Sequence, residues 1–334
     1  MFGRSKVEVT TMQRTTKQIP LLAACLTVMA AEIVEAQPTK LRIGYGTAAE
    51  EQLWLLIAKP DIGRHYSKAY TIEGTRFTGS DKRAQAYEAG AIDLASSSAN
   101  GVIFGAAEGV KAKIIASFTR ESRRGFSTTF YANASSPTKS VRDLKGKTIG
   151  INGFATSGHL WLKTALEKVG LAESDVTIVP ISFSGMAESL QSGKIDVGQF
   201  PQPFDALLQK QAKVTRIFSA KDAIPEDEEL LVLIGKDEFL KSNAVAIKAL
   251  LDDLAAATKF YLEKPREARQ MLLDSKMVRV PADVFLGMSD YYRDPTMRVN
   301  VETLARMQEY QVKAGFQKKV TDVRLLVDMS YLPN

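Results

Sequence analysis

A strand that ends in glycine and leads into a helix occurs twice in this chain, and both occurrences have the same internal order. Residues 41–46 and 148–153 are short strand-like runs with terminal glycines. Downstream of each, a helix stops at a glycine and a Gly-x-Ile-Asp pattern follows, at 90–93 and at 193–196. Strands that alternate with helices are typical of mostly parallel sheets with helices on both faces. The sequence therefore predicts two α/β lobes of similar construction.

The C-terminal third has a different pattern. Residues 230–235 predict a strand positioned to return the chain to the first lobe. From residue 243 onward, apolar residues recur near a spacing of 3.6, which indicates helices. Prolines at 265, 281 and 295 separate these helices.

The N-terminus has the features of an export signal. Arg14 and Lys17 precede an apolar run over 19–31, and small residues, Val34 and Ala36, stand at the −3 and −1 positions of a cleavage site. The run is shorter than the roughly 20 apolar residues that span a membrane. We expect 1–36 to be a signal peptide, cleaved near Ala36, and the mature protein to be soluble in the periplasm.

The single cysteine, Cys25, lies inside this apolar run, where Leu-Ala-Ala-Cys resembles a lipobox. A lipid-anchored N-terminus at Cys25 is therefore an alternative to cleavage at Ala36. With cleavage at Ala36 the mature chain has no cysteine, which excludes disulfides, zinc thiolate sites and cysteine catalysis. The formal charge of +6 comes from lysines and arginines spread along the chain without aromatic platforms, so we expect no nucleic-acid partner.

Hydroxyl-rich segments at two strand-to-helix junctions are the strongest binding signals. Ser96 and Ser97 belong to a run predicted as a polar turn that opens a helix, and Thr156 and Ser157 open a helix in the second half. Backbone N–H groups and hydroxyls at a helix N-terminus attract carboxylate, sulfonate, phosphate or nitrate groups. The competing interpretation is that these residues only cap their helices. Their occurrence in both halves favours a shared anion site.

Residues 44–49 fit the Gly-x-Gly-x-x-Ala dinucleotide fingerprint. A dehydrogenase is not favoured, because we expect the protein to be exported and because no acidic residue clearly ends the second strand to bind a ribose. We interpret Gly46 as allowing close backbone approach to a small ligand, with Thr47 donating a hydroxyl. Gln199 and Pro201 lie in a proline-fixed loop after the second Gly-x-Ile-Asp strand, and His159 is expected to border the cleft. The sequence contains no nucleophile elbow, paired-histidine zinc motif or phosphate loop, so we expect no catalytic residue, metal or cofactor.

Residues 143–150, Asp-Leu-Lys-Gly-Lys-Thr-Ile-Gly, closely resemble the run that opens the second lobe in periplasmic binding proteins of ATP-driven importers. Together with 41–46, 90–93, 153–162 and 193–204, they are similar to the nitrate, sulfonate, taurine and thiamine-precursor branch. The resemblance implies a type II two-lobe fold, with each lobe a mixed, mostly parallel sheet flanked by helices. It predicts lobe 1 at 37–125 and 232–334, and lobe 2 at 126–231.

The resemblance also implies a function. It indicates a monomer that closes on a small anionic solute, is recognised by a membrane permease of the importer, and catalyses no reaction. By position, Thr47, Ser97, Thr156 and Ser157 fall where such proteins contact the anionic group. Gln199 and Pro201 fall in a loop that carries a Trp-acid-Pro sequence in many relatives. Phe200 and Gln202 replace the tryptophan and the acidic residue here, so the substrate of no single relative can be assigned to this chain. A thiamine-pyrimidine-related protein and a ligand-sensing receptor subunit remain alternatives.

Overall fold

The computed structural model describes residues 1–3, 5, 6, 8, 10, 11 and 37–333. The chain divides into two units, 1–36 and 37–334. The predicted apolar signal segment, Cys25 and the cleavage site at Ala36 lie outside the described residues. Within the described residues, no helix combines the length and the apolar character needed to cross a membrane.

The first lobe is built on a five-stranded mixed sheet with the order β2-β1-β3-β10-β4. β1 pairs in parallel with β2 and β3, whereas β10 is antiparallel to β3 and β4. The strands are β1 (Thr39–Tyr45), β2 (Tyr70–Arg76), β3 (Leu94–Ser98), β4 (Lys113–Glu121) and β10 (Glu228–Gly235), and the connecting helices are α1 (Glu51–Ala58), α2 (Ser80–Glu88) and α3 (Ala99–Ala107).

The second lobe has a sheet of the same size, with the order β7-β6-β8-β5-β9. β6 pairs in parallel with β7 and β8, and β5 is antiparallel to β8 and β9. The strands are β5 (Thr129–Asn133), β6 (Thr148–Ile151), β7 (Thr177–Pro180), β8 (Val197–Phe200) and β9 (Val214–Ser219), and the helices are α4 (Ser157–Lys168), α5 (Phe183–Gln191), α6 (Phe204–Gln211) and α7 (Ala220–Ala223).

Five further α-helices follow β10 in the described part of the chain. The long helix α9 buries an apolar stripe that includes Leu250, Leu251 and Leu254, in the same core as Trp54 of α1. These contacts pack α9 against the first-lobe helix α1. The helices are α8 (Asp237–Ser242), α9 (Ala244–Glu263), α10 (Pro265–Asp274), α11 (Ala282–Gly287) and α12 (Val301–Lys313).

The repeated Gly-x-Ile-Asp pattern has the same physical role in both lobes. A Cβ on Gly44 of β1 would lie 2.3 Å from Ile92, and a Cβ on Gly150 of β6 would lie 2.8 Å from Ile195. Each aspartate accepts a hydrogen bond from the backbone of the neighbouring strand: Asp93 accepts the N–H of Arg42 at 3.0 Å, and the corresponding Asp196 accepts that of Thr148 at 2.8 Å. Each isoleucine therefore fills the space that a glycine leaves open.

The predicted fold class, two α/β lobes with mixed sheets flanked by helices, is confirmed. Locally, β3 continues to Ser98, so Ser96 and Ser97 lie in a strand and not in the predicted turn, because β10 pairs along that whole segment. The predicted lobe boundaries at 125/126 and 231/232 remain predictions. The two sheets themselves comprise 39–121 with 228–235, and 129–219.

Candidate functional site

A cavity lies between the two lobes, where the carboxyl ends of β1, β3, β6 and β8 meet. Its empty volume is about 620 Å³, and it is partly open to solvent. Ligands of open α/β sheets bind at this edge. Its polar and aromatic lining residues include Thr47, Glu50, Ser80, Arg83, Ser98, Asn152, Thr156, Ser157, Trp161, Gln199 and Tyr291.

Five helices begin at this cavity. The residues at or just before the first turns of α1, α2 and α3 in the first lobe, and of α4 and α5 in the second, line its wall. In α4 the backbone N–H groups of Thr156, Ser157 and Gly158 have no acceptor among the described residues. Because a helix N-terminus carries a partial positive charge, these donors attract anions.

The two main junctions share an unusual backbone conformation. Ala49, before α1, has a φ of 62°, and Ala155, before α4, has a φ of 54°. Residues other than glycine rarely adopt left-handed conformations, and those that do cluster at functional sites. Each alanine turns the chain so that the following helix starts at the cavity.

The first-lobe wall contains a buried ion pair. The Glu50 carboxylate accepts the backbone N–H of Gly46 at 3.0 Å and lies 3.4 Å from Nη1 of Arg83, and both side chains are almost fully buried. Burial raises the pKa of Glu50, although Arg83 opposes this, and burial lowers the pKa of Arg83, although Glu50 opposes this. Glu50 is the only hydrogen-bond partner of the Arg83 side chain among the described residues. The remaining guanidinium donors are free to bind a ligand.

Gly46 is required by this arrangement. A Cβ at this position would lie 2.5 Å from Nη1 of Arg83 and 2.6 Å from a carboxylate oxygen of Glu50. The glycine predicted to allow close approach of a ligand thus allows close approach of the ion pair. Its N–H donates to Glu50, so this donor is already occupied.

The second-lobe wall is uncharged. The Gln199 side chain accepts the backbone N–H of Asn152 at 3.2 Å and lies directly under the first turn of α4, where a Cβ on Gly158 would be 2.3 Å from its Oε1. Thr156 donates its hydroxyl to the carbonyl of Gly153 at 2.8 Å. This wall therefore offers amide and hydroxyl groups with helix N–H donors.

Direct hydrogen bonds join the two walls. Ser80 donates to Asn152 at 2.8 Å. The Ser157 hydroxyl lies 2.9 Å from that of Ser98 and accepts from Asn100 at 3.0 Å. Because these bonds cross between lobes, they stabilise an arrangement in which the lobes are held together around the cavity.

Behind the cavity, Glu228 forms a buried network at the junction of the lobes. Its carboxylate accepts from the Trp161 indole at 2.9 Å and lies 3.3 Å from Nζ of Lys221. Burial raises the pKa of Glu228, and Lys221 acts in the opposite direction. Trp161 thus lines the cavity with a ring whose orientation is fixed.

Six of the nine predicted binding residues line the cavity: Gly46, Thr47, Thr156, Ser157, Gln199 and Pro201. Ser96 and Ser97 do not, because the cavity begins at Ser98, at the end of β3. His159 also lies away from it: Nε2 is 3.1 Å from Glu173 and the ring packs edge-on against Phe316. Burial lowers the pKa of His159, opposed by Glu173.

Sequence reasoning missed Arg83, Ser80, Asn152, Trp161 and Tyr291, and from the serine run at 96–98 it selected Ser96 and Ser97 rather than Ser98. For Ser80 the available signal was the Thr-Gly-Ser-Asp run at 78–81, which is typical of the start of a helix. Arg83 stands within a helix among other polar residues, and nothing local distinguishes it from a surface arginine.

Outside the cavity, His65, Asp252 and Asp253 place potential ligand atoms within 4.8 Å of one another. Arg64 already forms a salt bridge with Asp252 at 2.7 Å, and the Tyr70 hydroxyl donates to Asp253 at 2.7 Å. These contacts satisfy the carboxylates without a metal ion.

The fold and the cleft are those of two-lobe periplasmic binding proteins. The structure matches the alkanesulfonate-binding protein SsuA from Xanthomonas axonopodis pv. citri bound to MOPS, with a TM-score of 0.73, 18% identity, and coverage of 88% of this chain and 99% of that chain. It also matches the periplasmic nitrate-binding protein NrtA from Synechocystis PCC 6803, with a TM-score of 0.72, 12% identity, and coverage of 88% and 87%.

Residues 76–268, more than half of the chain, match the family model described as NMT1/THI5 like, and the protein belongs to the NMT1/THI5-like family. A curated relative, the putative aliphatic sulfonates-binding protein of Escherichia coli (strain K12), is 24% identical over 294 residues, which are 86% of this chain and 88% of the relative. The resemblance inferred from the motifs is confirmed.

Proposed function

We propose that this protein is the periplasmic solute-binding component of an ABC-type importer and captures a small organic or inorganic anion between its lobes. The observation that carries the proposal is the cavity that Arg83 and the N-terminus of α4 both line, together with hydroxyl and amide groups from both lobes. The similar proteins are named as sulfonate-binding and nitrate-binding proteins, and these names support the same class of ligand.

Capture proceeds by closure. In the open form each lobe presents its own donors, and the ligand bridges them, which shifts the population toward the closed form. Charge-assisted hydrogen bonds contribute on the order of 1.5–3 kcal/mol each. Three or four of them offset the ordering of the lobes and give micromolar affinity, about −8 kcal/mol. The importer's permease then recognises the closed shape.

The remaining parts of the proposal follow from the sequence. The protein is exported, is cleaved near Ala36 and acts as a monomer without metal, cofactor, nucleic acid or turnover. A thiamine-pyrimidine synthase of the branch uses a cysteine-rich segment, and this chain has one cysteine, Cys25. Mass spectrometry of the exported protein is expected to give Gln37 as the N-terminus, and a lipid-modified Cys25 would contradict that part.

The test of function is a thermal-shift screen of residues 37–334, followed by calorimetry. The probes are ethanesulfonate, propionate, benzoate and nitrate, with ethanesulfonamide as an uncharged analogue. We expect saturable one-to-one binding of at least one anion and none of the sulfonamide. Absence of binding by all four anions, or equal binding of the uncharged analogue, would contradict anion capture.

A further inference from the structure

A second cavity adjoins the first and lies mainly in the first lobe. It is bounded by α2, α3 and the second-lobe segment 154–156, and its empty volume is about 1090 Å³. Ser80, Arg83, Ser98 and Thr156 line both cavities. Arg83 therefore lies where the two spaces meet.

The walls of the second cavity are mostly apolar. Ala84 and Tyr87 of α2 and Val102 and Phe104 of α3 line it, and the serines at 96–98 form a polar strip at the end of β3. Phe154, from the second lobe, is 46% exposed, an unusual exposure for a phenylalanine, and lines the same space. An apolar surface beside a charged anchor favours a ligand that has both parts.

The charged lining residues other than Arg83 are acidic. Asp81, Glu88 and Glu108 are exposed and line this cavity. Their carboxylates disfavour a second negative charge at the far end of a ligand. The cavity thus discriminates between a monoanion with an apolar body and a dianion.

We propose that the second cavity binds the apolar body of an organic monoanion whose charged group is held at Arg83. This inference rests on the proposed function and specifies its substrate class: an amphiphilic organic anion larger than nitrate. Segment 154–156 of the second lobe would cover the apolar body when the lobes close. The size of that body would therefore affect both the closure of the lobes and the apolar contacts made with the ligand.

The experiment is calorimetry on residues 37–334 with two pairs of probes, ethanesulfonate with 1-octanesulfonate, and propionate with octanoate. Each methylene that enters an apolar site is expected to tighten binding roughly fourfold. Even if only part of the probe's alkyl chain is buried, the long member of a pair should bind at least about 30-fold more tightly than the short member.

Ala84→Phe fills the second cavity from an exposed helix position that does not line the first. It should weaken the long probe at least about tenfold more than the short one, since only the long probe needs that space. Gln85→Phe is the matched control, because Gln85 is the exposed neighbour on α2 and lines neither cavity. Gln85→Phe should leave the ratio of the affinities for the long and the short probe as it is in the parent.

The outcomes separate the two proposals. If the short probes bind and the long ones bind no more tightly, the proposed role of the second cavity is wrong and anion capture remains supported. Equal effects of Ala84→Phe and Gln85→Phe on the ratio would also overturn it. Failure of all four probes and of nitrate would overturn anion capture, and this inference with it.

Discussion

In both lobes a strand enters a helix through a left-handed alanine, Ala49 in the first lobe and Ala155 in the second, and both helices begin at the same cavity. The side chains placed on this shared backbone differ. The first lobe buries Glu50 and Arg83 beneath its loop, whereas the second provides Asn152 and Gln199 with uncharged donors.

This difference assigns separate tasks to the lobes. Because Glu50 offsets much of the arginine's long-range field, Arg83 selects for an anion mainly through charge-assisted hydrogen bonds from the donors that Glu50 leaves unpaired. Neutral amides and hydroxyls contribute only in direct contact. We therefore interpret the first lobe as the one that selects for charge and the second as the one that completes the site on closure.

Loss of the first-lobe charge should have the largest effect. Arg83→Met leaves Glu50 buried without its cation, and breaking a buried pair in this way costs about 3–5 kcal/mol of stability. The double variant Glu50→Gln with Arg83→Met removes both charges and should recover most of that stability. It should not recover anion binding, which we expect to fall at least about tenfold.

Calorimetry and urea denaturation on these two variants separate binding from folding. Asn152→Ala in the second lobe is the comparison variant and should weaken binding less than the double variant does. If the double variant binds anions as tightly as the parent, charge selection does not reside in the first lobe.

A second prediction concerns Glu121, the last residue of β4, where the chain leaves the first lobe. It is fully buried, its carboxylate accepts the N–H of Thr128 at 3.0 Å, and burial raises the pKa of Glu121 to about 7. Between its ordinary pKa and 7, the folded protein keeps a proton that the unfolded chain releases. The stability that this group contributes is therefore present at low pH and is lost as pH rises to about 7.

Glu121→Gln removes this loss. The free energy of unfolding of the variant, relative to that of the parent, should therefore increase from pH 5 to pH 8. A pKa change from 4.5 to about 7 corresponds to on the order of 3 kcal/mol. Urea denaturation at both pH values measures the gain, with the exposed Glu167→Gln as control. A difference between variant and parent that does not change with pH would contradict the assignment.

The contacts between lobes should give the smallest effect. Ser157→Ala removes the bonds to Ser98 and Asn100 that hold the lobes together, and we expect a loss of about 1–2 kcal/mol, or roughly 5- to 30-fold in affinity. Ser98→Ala should have a similar effect, and Ser97→Ala a smaller one, because Ser97 lines only the second cavity, whereas Ser98 lines both and bonds to Ser157. Calorimetry that ranks Ser97 above Ser98 would favour the assignment made from sequence.

The sequence was sufficient for the fold because the elements that define it are local. Gly90 and Gly193 end their helices at φ values of +73°, and the isoleucine and aspartate that follow each have one role in both lobes. Apolar periodicity also predicted the C-terminal helices. These signals depend on neighbours within a few residues.

The candidate site depended on contacts that the sequence does not encode locally. Arg83 reaches the cavity because α2 packs against the loop at Gly46, 37 positions earlier in the numbering of the chain. The serine that lines the cavity is Ser98 because β10, more than 100 residues later, extends β3 to that point. His159 does not line the cavity, and its ring contacts Glu173 and Phe316, which lie 14 and 157 positions later in the sequence.

The central claim is that one anion is held by both lobes. The most direct test is a crystal structure of residues 37–334 grown with the tightest-binding anion of the screen. We predict that its charged group lies within hydrogen-bond distance of Arg83 and of the backbone N–H groups of Ser157 or Gly158. An anion held by one lobe only, or bound outside the cavity while Arg83 remains paired only with Glu50, would contradict the claim.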